Sequence, residues 1–186
     1  MATTDADDQP ERTISVSLLD ALDRAWAALA ERLAGLTDDE CAWQPVAGGW
    51  AVRRHGTTWR ADWADPDPVP APVTTISWRC WHLAVDCLDS YSGRLFGRSG
   101  TGLQGTEWVG SSAEATALLE RAWRVFRAGV AGWSTADLLR PLGPAWGAFA
   151  SQTHADLALH AAREVIHHGA EVALLRDLYA HRPLAR

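Results

Sequence analysis

The chain has 186 residues and a mass of 20.2 kDa, which is one domain's worth of sequence and enough to bury a full core without disulfides or a structural metal. A hydrophobic share of 47% and a charged share of 22% exclude the disordered, collagen-like and fibrous classes. A net charge of -6, a pI near 5.6 and the absence of any basic run argue against nucleic acid as a partner.

Residues 1–12, opening MATTDADDQP, are acidic and polar and are expected to form a disordered tail. They lack the basic start and apolar run of a signal peptide. No stretch of the chain approaches the ~20 apolar residues of a membrane span, so a soluble cytoplasmic protein without a membrane partner is expected. A single helical domain is then expected over residues 13–180, with a short tail at 181–186.

Ile14, Leu18, Leu22, Trp26, Leu29 and Leu33 recur every three or four residues and predict a first helix from about Thr13 to Ala34. Gly35 stops it. Thr37 and Glu40 have capping-box spacing and predict a short helical turn. From Trp43 to Val73 the chain is rich in Pro, Gly, Trp and Asp, and a long loop is expected. A loop of this length in a compact domain usually covers something, and Trp43, Trp50, Trp59 and Trp63 are candidates to roof one end of the bundle.

A second helix is predicted from about Thr74 to Phe96, with Ile76, Cys80, Leu83, Cys87, Tyr91 and Leu95 on its buried seam. Gly97 and SGTGLQG break it. Ser111 with Glu114 starts a third helix, carried by Ala115, Leu118, Leu119, Ala122, Phe126 and Val130 to about Gly132. Ser134 to Gly147 is turn-rich. The last helix runs from about Thr153 to Tyr179 with Leu157, Ala161, Val172, Leu175 and Leu178 on one face. Four amphipathic helices without alternating strand patterns predict an all-α, antiparallel four-helix bundle with a long loop between helices 1 and 2.

Cys41, Cys80 and Cys87 form an odd set, and Cys80 and Cys87 would sit roughly 10 Å apart along one helix, too far for a disulfide. Reduced thiols in a cytoplasm follow. Cys80 and Cys87 are read as small core residues. The chain has no Lys and no Asn and is poor in Ile, Phe and Tyr, while Arg, Ala, Gly and Trp abound. That is the mark of a high-GC genome, of the actinobacterial kind.

On the last helix Glu164 and His168 are four residues apart on the core-facing arc, ~6 Å from one another, and can direct a carboxylate oxygen and an imidazole nitrogen to one point. His82 is the one His expected on the other three helices. Two donors from one helix and one from a neighbour form a candidate divalent-metal site with open positions for water or substrate. A hydrogen-bonded pair is the commoner meaning of Glu–His spacing, but burial of both groups in a core costs several kcal/mol unless they are satisfied together. With N and O donors zinc leads, and nickel, iron and manganese remain alternatives. His160 and Glu171 border the same arc and are expected to orient a ligand, with His160 as a rival direct ligand. His55, His154, His167 and His181 are read as edge, loop or terminus residues. Arg53, Arg54, Arg60 and Arg79 could meet a substrate carboxylate, and none stands out.

The strings HAAREVIHHGAEVALLRDLY (His160 to Tyr179), TTISWRCWHLAVD (Thr74 to Asp86) and LTDDECAWQPVAGGWAVRR (Leu36 to Arg54) resemble the DinB-like four-helix-bundle superfamily, in its actinobacterial small-protein branch. The superfamily commonly binds a divalent metal through a His on the second helix and a His-x-x-x-His pair on the last. By that resemblance the ligands fall on His82, position 164 and His168. Glu at position 164 is similar to the metal-binding domain of the mycothiol-dependent maleylpyruvate isomerase family. The resemblance implies a metal-dependent thiol transferase or isomerase, with mycothiol as possible cosubstrate, an electrophilic small-molecule substrate and a possible homodimer. A non-catalytic metal-binding or stress-response module and a metal-dependent hydrolase are the alternatives. No catalytic residue beyond the metal ligands is singled out.

Overall fold

Thr13 opens the first helix by accepting the Val16 N–H on its hydroxyl, and α1 then runs Ile14–Leu33. The computed structural model describes residues 13–66, 68–97 and 107–183; the expected tail at 1–12 lies outside them. Leu18, Leu22, Leu29 and Leu33 of the predicted stripe are buried, and each contributes about 1.5–3 kcal/mol by leaving water. Ile14 is exposed because it is the first residue of the helix, at the open end of the bundle.

Thr37 caps the predicted turn, α2, Asp38–Ala42. The expected long loop holds a small antiparallel hairpin, β1 Val52–His55 and β2 Thr58–Ala61, which corrects the loop reading at this point and leaves the bundle all-α. Its two-residue turn begins with Gly56 at φ 64°, a left-handed conformation that glycine adopts without a Cβ clash. The strands are short and mostly facing solvent on β1, so they carry no apolar alternation by which the sequence could announce them.

The second long helix is continuous but not uniform. It consists of α3 Ile76–Trp81, a π-helical stretch His82–Asp89 and α4 Ser90–Phe96, and ends at Gly97 with φ 70°. The predicted seam Ile76, Cys80, Leu83 and Cys87 is buried, and Tyr91 and Leu95 are half-buried. The third long helix, α5 Ser112–Ala131, is capped by Ser111 as expected. The following connection contains α6 Thr135–Leu138 and a 3-10 turn Pro144–Phe149. The last helix, α7 His154–Ala180, starts with a capping box between Thr153 and Asp156. Leu178, assigned to its buried face, is exposed in its last turn.

The helix directions follow from who meets whom. Arg32 near the end of α1 bonds Ala173 and Asp177 near the end of α7, so these two run parallel. Phe96, ending α4, packs on Gly129 near the end of α5, so the second and third long helices are parallel too. Arg79 reaches Glu171 while Tyr91 reaches His160, and Asp23 pairs with Arg127, so the two pairs oppose each other. The order is up, down, down, up. Trp26 and Trp123 stack at 5.2 Å and 7° between the pairs.

At the end where α1 and α7 finish, Arg176 pairs with the 7%-exposed Glu40 at 2.7 Å and donates to the carbonyls of Arg32 and Ala34. One guanidinium thus satisfies the open end of α1 and ties α2 to α7. No helix of the described residues is long and apolar enough to cross a membrane.

Candidate metal centre

Halfway along the bundle the second long helix and α7 bring polar groups together in the core. His82 is the first residue of the π stretch, and Glu164 and His168 lie one turn apart on α7. Glu164 Oε2 is 3.2 Å from His168 Nε2 and 3.7 Å from His82 Nε2. The imidazole rings of His82 and His168 stand 4.7 Å apart at 89°. All three side chains are largely shielded, at 17%, 16% and 7% exposure for His82, Glu164 and His168.

A carboxylate stands behind each imidazole. His168 Nδ1 donates to Glu171 Oε2 at 2.6 Å, and His82 Nδ1 lies 3.0 Å from Asp86 Oδ2 in an ionic contact. Glu171 is itself gripped by Arg79, Nε to Oε2 at 2.8 Å and a terminal nitrogen to Oε1 at 3.0 Å, and approached by the exposed His167 at 3.4 Å. The Trp78 ring stacks on the His82 ring at 5.2 Å and 9°, which fixes its plane. Trp78 in turn meets Trp50 and Trp81, and Trp63 meets Trp50 and Trp81, so two of the four loop tryptophans reach the packing beside the site, whereas Trp43 packs on Tyr179 and Trp59 pairs with Trp108.

Electrostatics follow from this packing. Burial drags the His82 pKa down, yet Asp86, Cys87 and Glu164 together outweigh it and push it up to about 11. Hydrogen bonds from His168 and His82 hold Glu164 well below the usual carboxylate range. Burial opposes the ionised form of Glu171, but His168 and Arg79 still hold its carboxyl below the ordinary value.

Among the described residues two groups of donor atoms lie close enough to hold an ion, His82 with Cys87 and Glu164, and His167 with His168 and Glu171, and Glu164 lies 3.2 Å from His168 across the two. Once the Nε2 proton of His168 is gone and its remaining proton sits on Nδ1 toward Glu171, the Nε2 lone pair and the Glu164 oxygen are two acceptors 3.2 Å apart. Such a pair needs a proton or a cation between them. Ligand atoms about 2.0–2.1 Å from a tetrahedral ion lie roughly 3.4 Å from one another, and the two observed separations bracket that value. Imidazole ligands with the distal nitrogen bonded to a carboxylate are the usual outer arrangement of such a centre.

His160 sits farther out, 3.8 Å from Glu164 Oε1 and 3.0 Å from the Tyr91 hydroxyl. Beyond it opens a cavity of about 770 Å³, walled by Trp146 and Phe149 and flanked by Arg94, Arg163, Tyr91 and His160. Three residues of this neighbourhood escaped the sequence reading: Asp86, Cys87 as a neighbour of His82, and Arg79 as the partner of Glu171. The i,i+4 spacing of His82 and Asp86 was the available signal for the first. His55 ends β1 and His181 caps α7, away from the centre. His154, read as a loop residue, begins α7 and is buried against Trp133 at 4.9 Å.

The family model of the DinB superfamily matches residues 21–172. The chain belongs to the DinB superfamily. Among solved structures, this DinB chain is similar to a conserved protein from Enterococcus faecalis, with a TM-score of 0.62 at 14% identity over 92% of this chain and 100% of that one. No curated protein matches the sequence. The likeness at 14% identity extends the DinB fold to a solved example and goes no further than the fold.

Proposed function

We propose that this DinB protein holds one divalent ion, zinc before nickel, iron or manganese, on His82, Glu164 and His168, and acts as a thiol transferase or isomerase with a low-molecular-weight thiol of the mycothiol kind. The observation that carries the metal reading is the pair of imidazole Nε2 atoms converging on one carboxylate oxygen, each ring braced by a second carboxylate. A bound divalent ion supplies Lewis acidity, which lowers the pKa of a thiol placed on it.

The chain's own groups do the rest. Glu171 and Asp86 fix the orientation of the two rings, and Arg79 neutralises Glu171. Arg94 and Arg163 flank the cavity and suit an anionic group of an electrophilic substrate, while Trp146 and Phe149 offer its apolar body a wall. Tyr91 and His160 stand between cavity and centre. A hydrolase needs a free general base, and Glu171 is already committed to Arg79 and His168, which favours the thiol chemistry. Three unpaired cysteines suit a reducing cytoplasm. Leu159, Ile166 and Leu174 form an outward apolar stripe along α7 on which a second copy could pack, and we take the protein to be a homodimer.

The test is metal analysis of protein prepared without chelator or affinity tag. About one ion per chain is expected. His82→Ala or His168→Ala should abolish it, and His160→Ala should keep it; loss with His160→Ala but not with Glu164→Ala moves the ligand one turn. Wild type that is metal-free and refuses added zinc and nickel overturns the reading. Calorimetric titration of the loaded protein with mycothiol and other cellular thiols then separates the transferase, which binds one of them, from a non-catalytic module, which binds none.

A further inference from the structure

Cys87 is 3% exposed and belongs to the core, yet its sulfur faces the polar centre. Its Sγ is 3.6 Å from His82 Nε2, and the Cys87 sulfur, a His82 nitrogen and a Glu164 oxygen all lie within 4.8 Å of one another. The backbone explains how. On a regular α-helix residues five apart point about 140° away from each other. In the π stretch His82–Asp89 the hydrogen bonds run i→i+5, so the residue five on comes nearly above its predecessor. His82 thereby acquires Asp86 against one ring nitrogen and Cys87 against the other. Such wide turns are rare and concentrate at functional sites.

We propose that Cys87 is a fourth protein donor to the ion held by His82, Glu164 and His168, giving a resting set of two imidazoles, a carboxylate and a thiolate. This rests on the metal reading above. A nitrogen about 2.0–2.1 Å and a sulfur about 2.3 Å from one tetrahedral ion are about 3.6 Å apart, the separation seen here. On coordination a sulfur–metal bond forms, the S–H proton leaves to solvent, and no oxidation state changes.

The position of Cys87 adds a functional consequence. The Tyr91 hydroxyl lies 3.0 Å from His160, and Tyr91 and His160 line the cavity. Cys87 precedes Tyr91 by one turn of the same helix and is itself no part of the cavity wall. A thiol binding to the ion would exchange with the Cys87 sulfur, its own S–H proton passing to Cys87. A soft sulfur donor also biases the centre toward zinc or cobalt over manganese or magnesium.

The experiment adds cobalt(II) to full-length, chelator-stripped protein with no small thiol present, and reads bound cobalt and the near-ultraviolet spectrum together. The expected result is one cobalt per chain with a sulfur-to-cobalt charge-transfer band. Cys87→Ser should lose the band while still binding cobalt. The C41A/C80A double variant, which leaves Cys87 as the one thiol, should keep it, and this arm stands even if Cys87→Ser fails to fold. Wild type with stoichiometric cobalt and no such band overturns Cys87 as a ligand and leaves the three-residue centre intact, the 3.6 Å contact then being an S–H···N hydrogen bond. Wild type that binds no cobalt overturns the metal reading itself.

Discussion

Cys41 and Cys80 show what a thiol in this bundle does when no polar centre faces it. Both are buried. Burial, with Asp38 adding to it, pushes the Cys41 thiol up to about 12, and burial likewise raises Cys80. The ordinary value is 9.0, so above that pH the unfolded chain releases protons that the folded chain retains. The unfolded state then binds fewer protons, and stability falls as pH rises, by up to about 1.4 kcal/mol per pH unit for each thiol; below the ordinary value neither contributes a slope. Urea unfolding of metal-free protein at about pH 8 and about pH 10 should show this loss, and C41A/C80A should shrink it. An equal loss in the double variant would place the titration elsewhere. The same two thiols should resist alkylation in the native protein near neutral pH.

Among the elements, the end of α1 depends on a residue 142 positions away, since Arg176 bonds the Ala34 carbonyl as well as that of Arg32 and the Glu40 carboxylate. Arg176→Ala removes three partners at once and leaves Glu40 buried without a cation. A loss of about 3–5 kcal/mol in unfolding free energy is expected, read by urea denaturation. Arg24→Ala, which breaks an exposed pair with Asp20, should cost less than about 1 kcal/mol. Equal effects of the two would refute the clamp. The second long helix makes a different point. Its ends, seam and stop at Gly97 were readable from spacing and from glycine, but the π stretch in its middle was not, because an apolar seam tolerates one wide turn without losing its stripe.

For the whole molecule, the outward stripe Leu159, Ile166 and Leu174 spans two turns on either side of the centre of α7, and these residues are 54%, 59% and 59% exposed. A dimer that covers them gives light scattering at twice the 20.2 kDa chain mass at micromolar concentration. Ile166→Glu should return it to the monomer without loss of helix content or bound metal, because the side chain is 59% exposed and belongs to neither the core cluster nor the centre. A wild-type monomer at those concentrations rules the dimer out.

The amino-acid sequence by itself determined the four long helices and most of their buried faces, because a period of 3.6 residues and capping residues such as Thr13, Thr37, Ser111 and Thr153 are local properties. It also marked Glu164 and His168, because four-residue spacing on a core-facing arc is a local property too, and His82 as the one His expected on the other three helices. Tertiary structure decided the rest. The parallel pairing of α1 with α7 depends on contacts such as Arg32 with Asp177, separated by 145 residues, which no periodicity records. The hairpin at Val52–Ala61 is held by the Trp50–Thr74 and Trp59–Trp108 bridges rather than by its own apolar pattern. The approach of Cys87 to His82 required a π turn, which leaves no signature in residue spacing.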